Sequence, residues 1–367
     1  MSLFEILKPL ILQNSYTGNK MGVDKIGKQF IDLLSPLDFN VTIHQRELIG
    51  DHLHFTSLDQ ETGEKILFLG HIDTVFPQGS FTTFREDEEW VYGPGVCDMK
   101  GGNLVAIEAL KKCYQTNGKI VNIDLLFVSD EESGSDDSKA LTASLASQYD
   151  LCLVFEAAGE NNEVVTGRKG IGTFTIHIEG KASHAGNFYA QGIDANLEAA
   201  RKLEKLVALT QLDKGSTVNV GKIEGGIGAN TISPKSSITL ELRYTSSSEK
   251  ERLLQSINSI VSTSYVEGTK SSLTGSIQRD VMEPNDKQQE IIKRFETLTN
   301  TPLHTEQRGG VSDANITASH GLTTLDGFGP YGDGDHTIHE RALKSSFYER
   351  IELVSQFIED HQKNIGR

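Results

Sequence analysis

His71, Asp73, Asp98, Glu131, Glu132 and Glu156, together with His336 or His339, are the side chains whose types and positions stand out as reactive. His71 and Asp73 follow the apolar run 65–70, Glu131 and Glu132 follow the run 123–128, and Glu156 follows the run 151–155. Short continuous apolar runs of this kind read as strands buried on both faces of a sheet. In open α/β sheets, ligands gather beyond the carboxyl ends of the strands. Taken singly, an acid after a strand is more often a helix cap or a turn residue. Gathered in one cleft, uncompensated carboxylates repel one another and must either take up protons or bind cations. Imidazole mixed with carboxylate suits Zn²⁺ first, with Mn²⁺ or Co²⁺ as alternatives. Two such ions bridged by one carboxylate would lie about 3.5–4 Å apart and hold a hydroxide between them.

The segment Trp90–Gly102, WVYGPGVCDMKGG, surrounds Asp98 with Gly93, Pro94, Gly95, Gly101 and Gly102. This composition disfavours helix and strand and predicts a loop that aims one carboxylate. The loop lacks both the Lys-Ser/Thr ending and the preceding buried strand of a phosphate cradle. Around it, residues 23–34 show helical spacing, residues 41–44 and 53–55 read as short strands, and 103–113 reads as a helix behind the loop. From about Arg168 the pattern changes. Alternating segments at 173–179, 217–223, 237–243 and 273–281, with helices at 195–212 and 249–266, give the order βαββαβ of a ferredoxin-like α+β module. The expected organisation is therefore α/β, with a mixed, mostly parallel sheet in a discontinuous domain (residues 1–167 and 282–367) and an inserted domain at 168–281. Helices at 288–298 and 346–365 and a short one within 309–318 complete the first domain. No internal repeat or low-complexity segment interrupts the chain.

Composition narrows the partners. The chain has 367 residues, ordinary hydrophobic (37%) and charged (23%) content, and a formal net charge of −16, which opposes binding to nucleic acid or an anionic membrane surface. No apolar run reaches the ~18–20 residues needed to span a bilayer. The N-terminal stretch has Glu5 within its apolar part and no basic leader, so it reads as a helix rather than a signal peptide. Cys97, Cys113 and Cys152 are odd in number and irregularly spaced, which suits free thiols in the cytoplasm. Cys97 adjoins Asp98 but reads as a small buried residue.

Five ordered motifs, Gly70-His-Ile-Asp-Thr-Val75, Gly93-Pro-Gly-Val-Cys-Asp-Met-Lys-Gly-Gly102, Asp130-Glu-Glu-Ser-Gly134, Gly180-Lys-Ala-Ser-His-Ala-Gly186 and His336-Thr-Ile-His-Glu340, resemble the zinc peptidase and deacylase family of glutamate carboxypeptidase, acetylornithine deacetylase and succinyl-diaminopimelate desuccinylase. The resemblance covers nearly the whole chain and implies a di-zinc catalytic domain with an inserted dimerisation domain. It implies that His71 and Glu156 hold one metal, Glu132 and His336 the other, and Asp98 both. Asp73 would fix the His71 ring. Of the two histidines competing for one ligand role, His336 has the family's four-residue spacing to Glu340. Glu131 would be the general base for a metal-bridged hydroxide attacking an amide carbonyl. His184 would stabilise the oxyanion from a partner subunit, and Asn230 with Arg243 would hold a free carboxylate. Where the family commonly has proline after the Glu156 ligand, this chain has Ala157-Ala158. The activity implied is release of a C-terminal amino acid from a small peptide or N-acyl amino acid by a homodimer. An N-acyl amino acid deacylase, a di- or tripeptidase, and a non-catalytic amino-acid or peptide binding protein are the alternatives.

Overall fold

The strand Ile66–His71 is buried along its whole length and runs parallel to Ile123–Val128 on one side and Leu151–Val154 on the other. Thr323–Leu325 extends the parallel set, while His52–Thr56 and Asn40–His44 join antiparallel at the opposite edge, giving a mixed six-stranded sheet. This is the mostly parallel arrangement expected from the apolar runs. The computed structural model describes residues 2–59 and 62–365.

The chain divides into two compact units, residues 1–167, 284–308 and 312–367 forming the first and residues 168–283 and 309–311 the second. In the first, the helix Lys100–Asn117 packs on the strand Ile66–His71 and on the C-terminal helix Lys344–Asn364, which also receives the helix Asp286–Thr299. A file of rings threads this core. Phe68 meets Phe155 at 4.9 Å between centroids, Phe155 meets Phe328 at 6.1 Å, and Phe295 meets Phe328 at 5.4 Å and stacks on Phe357 at 4.4 Å. Each such pair adds roughly 0.5–1.5 kcal/mol beyond the apolar area it buries. Lys100 is fully buried and donates from Nζ to the carbonyls of Leu10 (3.1 Å) and Gln13 (2.9 Å), tying the end of the helix Leu3–Leu12 to the sheet's main helix.

A second, antiparallel sheet in the same unit joins Gly332–Asp333, Arg341–Leu343, Trp90–Tyr92 and Arg85–Glu86. Its register, Arg341 opposite Tyr92, sets the segment around His336 beside the loop that carries Asp98. The Trp90–Gly102 segment is less irregular than its composition suggests: Trp90–Tyr92 is a strand and Lys100–Gly102 is the first turn of a helix. The glycines at 101 and 102 serve close approach instead of loop flexibility. A Cβ would stand 2.0 Å from the Val96 carbonyl oxygen at Gly101 and 1.9 Å from that of Phe155 at Gly102.

The second unit is a four-stranded antiparallel sheet in the order Thr217–Gly225, Lys235–Tyr244, Gly170–Glu179, Lys270–Arg279, the ferredoxin-like order. Strict alternation along Lys235–Tyr244 buries one face against the helices Ala195–Val207 and Ser247–Ser262. Asp194 and Ser246 cap those helices by accepting N–H groups of the first turn. The first helix ends at Val207, short of residue 212, because the chain turns through a brief 3-10 segment, Leu212–Lys214, into the strand Thr217–Gly225.

Candidate metal site

His71 closes the central strand and is buried; its carbonyl accepts from Asn103 Nδ2 at 2.7 Å, which fixes the backbone at the point where the ring leaves it. Its Nε2 lies 3.0 Å from Asp98 Oδ1 and 3.7 Å from Glu156 Oε1. On the other ring nitrogen, Nδ1 is 3.1 Å from the Asp73 carbonyl oxygen and 3.4 Å from Asp73 Oδ1. Asp73 is itself buried, and its Oδ2 accepts from Thr17 Oγ1 at 2.6 Å and from the Glu132 backbone N–H at 3.2 Å. One carboxylate thus ties the His71 ring to the turn that carries Glu131 and Glu132.

Asp98 faces a second imidazole as well. His336 Nε2 lies 3.2 Å from Asp98 Oδ2 and 3.1 Å from Glu132 Oε2. His336 has a left-handed backbone (φ 60°), a conformation His tolerates better than most residues. His339 makes its hydrogen bond through its backbone, to Thr337 Oγ1 at 3.1 Å, so His336 is the histidine whose ring joins the cluster. One ligand atom each from His71, Asp98 and Glu132 lie within 4.8 Å of one another.

The electrostatics agree with the geometry. Burial opposes charge on His71, yet hydrogen bonds to Asp73 and Asp98 and the negative Glu156 hold its pKa well above the usual value. Hydrogen bonds to Asp98 and Glu132 raise His336 to about 11. Burial and the negative charge of Asp98 push Glu132 up to about 8 and Glu156 well above the carboxylate range, with Glu131 adding to both. Asp98 is held low despite burial by its hydrogen bonds to both histidines. A site that crowds carboxylates and imidazoles until some must stay protonated is relieved by cations. The donor set fits divalent ions that take nitrogen and oxygen together.

Two contributors are not among the candidate site residues of the sequence. Thr17 is one, since nothing in its neighbourhood connects it to Asp73. The other is Glu340, buried, whose carboxylate accepts the backbone N–H groups of Gly95 (3.0 and 3.1 Å), Cys97 (3.1 Å) and Asp98 (3.2 Å). Its one sequence signal is the His336–Glu340 spacing. Burial and then the charge of Glu340 push the Cys97 thiol well above its ordinary pKa.

In the second unit, exposed His184 accepts from the N–H groups of Gly186 and Asn187 at Nδ1, both at 3.2 Å, which assigns the proton of the neutral ring to Nε2. The adjacent Ala185 N–H donates to the Asn230 carbonyl at 2.9 Å, so the segments bearing His184 and Asn230 are joined. Arg243 donates from Nε to Glu241 Oε1 and from Nη1 to the Gly309 carbonyl, both at 2.8 Å.

Residues 67–360 match the sequence model of peptidase family M20/M25/M40. The chain is 25% identical over 370 residues to carboxypeptidase G2 of Pseudomonas sp. (strain RS-16), covering 98% of this chain and 89% of that protein. It is 26% identical over 388 residues to a succinyl-diaminopimelate desuccinylase of Helicobacter hepaticus, covering 98% and 97%. Its fold is similar to the crystal structure of aminopeptidase PepT from Bacillus cereus, with a TM-score of 0.84, 22% identity and 98% of each chain covered.

Proposed function

The chain belongs to peptidase family M20/M25/M40 and is a metal-dependent hydrolase, a peptidase or deacylase, and we propose that it is a carboxypeptidase releasing a C-terminal amino acid from a small peptide or N-acyl amino acid. The observation that carries this reading is the placement of Asp98 between two imidazoles, one on each carboxylate oxygen, which suits a bridge between two cations. His71 and Glu156 would hold one ion and Glu132 and His336 the other, Zn²⁺ first with Mn²⁺ or Co²⁺ as alternatives. When bound, such ions polarise a substrate carbonyl and bring the pKa of bound water towards neutrality.

The chain's own groups do the rest. Asp73 holds the His71 ring in one orientation. Glu131 takes a proton from the attacking water and returns it to the nitrogen as the C–N bond breaks. Its carboxylate must stay free of coordination to do so. His184 donates from Nε2 to the oxyanion in the site of a partner subunit, while Asn230 and Arg243 take the substrate's free carboxylate, for which a guanidinium fork is well shaped. The protein acts as a homodimer through residues 168–281. The edge strand Thr217–Gly225 supports this, being exposed over most of its length, with Ile223 and the nearby Ile227 among the exposed large apolar residues. Three buried free cysteines suit a cytoplasmic setting.

The test is hydrolysis of a panel of peptidyl and N-acyl amino acids by metal-loaded protein, wild type against Glu131→Gln. Wild type should release the C-terminal amino acid, and the variant should retain its metal while losing at least ~10²-fold in kcat. Turnover that requires a free N-terminus and ignores the C-terminal carboxylate would assign a di- or tripeptidase instead, and preference for short acyl groups a deacylase.

A further inference from the structure

Where the strand Ile123–Val128 ends, just before Glu131 and Glu132, the peptide group joining Val128 to Ser129 is clamped on both sides. The Val128 carbonyl accepts from the Ile72 N–H at 2.8 Å, next to His71, and the Ser129 N–H donates to Nδ1 of His52 at 3.1 Å. His52 opens the neighbouring strand His52–Thr56 and is fully buried, as is Ser129. Because Nδ1 accepts, the ring proton sits on Nε2, which donates to Asp137 Oδ1 at 2.9 Å. Arg46 Nε donates to the same oxygen. Asp137 lies beyond the acidic turn. Its N–H and that of Ser138 donate to Asp130 Oδ2 at 2.8 and 3.2 Å, and the Asp130 carbonyl accepts from the N–H groups of Ser133 (3.2 Å) and Ser135 (2.9 Å). One imidazole therefore joins the start of the segment 129–138 to its end, and the stretch between them, Glu131 and Glu132 included, closes on itself.

Ser129, His52 and Asp137 have the residue types of a nucleophilic triad, but the geometry gives them another use. Ser129 Oγ, 3.0 Å from His52 Nδ1, donates to the Gly50 carbonyl, Nδ1 is taken by a backbone N–H, and neither Ser129 nor His52 has exposed surface. The ring is a brace. A buried backbone N–H at a strand end needs a partner, and His52 supplies it while reaching Asp137 with its other nitrogen. An apolar side chain in its place would release both ends. Asp73 meets the same turn at the Glu132 N–H (3.2 Å), a second point of attachment. Misplacing a reacting group by about 1 Å can cost about 10²-fold in rate, so a brace at this turn bears on chemistry as well as on folding.

We propose that His52 and Asp137 are positioning residues that set the turn carrying Glu131 and Glu132, given the roles of general base and metal ligand proposed for those two. His52 acts through the Ser129 backbone, and Asp137 through Asp130.

The experiment compares His52→Leu, His52→Asn and Asp137→Ala with wild type by Zn²⁺ titration of the metal-free full-length protein, by steady-state kinetics on the panel of peptidyl and N-acyl amino acids, and by urea denaturation. In His52→Leu one of two Zn²⁺ ions should bind at least tenfold more weakly and the other as in wild type, and kcat should fall at least tenfold with KM nearly unchanged. His52→Asn, whose Oδ1 can accept the Ser129 N–H in place of Nδ1, should recover part of both losses. Asp137→Ala changes a side chain that is 42% exposed and should show smaller losses of the same kind with little change in denaturation midpoint. Should His52→Leu fail to fold, Asp137→Ala decides. Variants with a lowered midpoint but wild-type Zn²⁺ affinity and kcat would overturn the proposal and leave His52 a brace for stability alone. Should the wild type hydrolyse nothing in the panel, or Glu131→Gln turn over at the wild-type rate, the general-base reading falls, and the Zn²⁺ titrations alone decide whether the brace positions Glu132.

Discussion

Glu340 Oε1 accepts the backbone N–H of Asp98 at 3.2 Å across 242 residues of chain, and the same carboxylate takes the N–H groups of Gly95 and Cys97. The loop that carries the central ligand candidate is thus wrapped around a buried acid instead of being shaped by its glycines alone. A carboxylate can accept all of these bonds, whereas a glutamine must turn its NH₂ towards some of the same donors. Glu340→Gln is expected to cost about 1–3 kcal/mol in unfolding free energy and to weaken metal binding roughly 10–100-fold. Denaturation of the metal-free protein and a metal titration read the two effects separately. Wild-type values in both would show that the loop holds its shape without the acid.

Gly102 makes a second steric prediction. Its missing side chain lets the start of the helix Lys100–Asn117 pass against the Phe155 carbonyl, next to Glu156. Gly102→Ala would drive a methyl group into backbone and is expected to destabilise by about 1–3 kcal/mol or more. Gly309→Ala meets nothing within 4 Å and should stay within about 0.5 kcal/mol of wild type. Chemical denaturation of the two variants compares them directly.

What could be read in advance follows from how local the signal is. His71, Glu132 and Glu156 announce themselves because each follows an apolar run that only a buried strand explains, and the structure gathers all three near Asp98. The alternation along 173–179 and 237–243 likewise suffices to name the antiparallel module. Thr17 is silent, and Glu340 shows only its spacing from His336, because their partners lie 56 and 242 residues away and no local pattern marks a residue by a distant hydrogen bond. Gly101 and Gly102 mislead for a related reason: glycine chosen for close packing looks, in sequence, like glycine chosen for a turn.

Asp73 joins the His71 ring to Thr17 and to the Glu132 backbone, so its charge and its acceptors act together. Asp73→Asn keeps the shape but removes the charge that supports the imidazole. A loss of about 10–100-fold in metal affinity is expected, with a smaller loss in the same direction for Thr17→Val. Equilibrium dialysis against Zn²⁺ measures both. Equal affinity in wild type and Asp73→Asn would mean that the Asp73 carbonyl alone orients the ring.

The second unit offers a pH test remote from any metal. Glu249, 7% exposed, accepts from Arg252 Nη2 and Ser216 Oγ, each at 2.7 Å, and lies 3.6 Å from Lys214 Nζ. Arg252 above all lowers this carboxyl from 4.5 to about 2, against the opposing effect of burial. Because the folded pKa lies below the unfolded one, the folded chain binds this proton less tightly. The stabilisation is therefore complete above the unfolded pKa and disappears as pH falls through the folded value. Glu249→Gln should destabilise the unit by roughly 1–2 kcal/mol at neutral pH, allowing for solvent screening of the pair. The gap to wild type should close between about pH 5 and pH 2. Urea denaturation at pH 7, 5 and 3 follows that gap, and a difference that stays constant down to pH 3 would assign the loss to packing and not to charge.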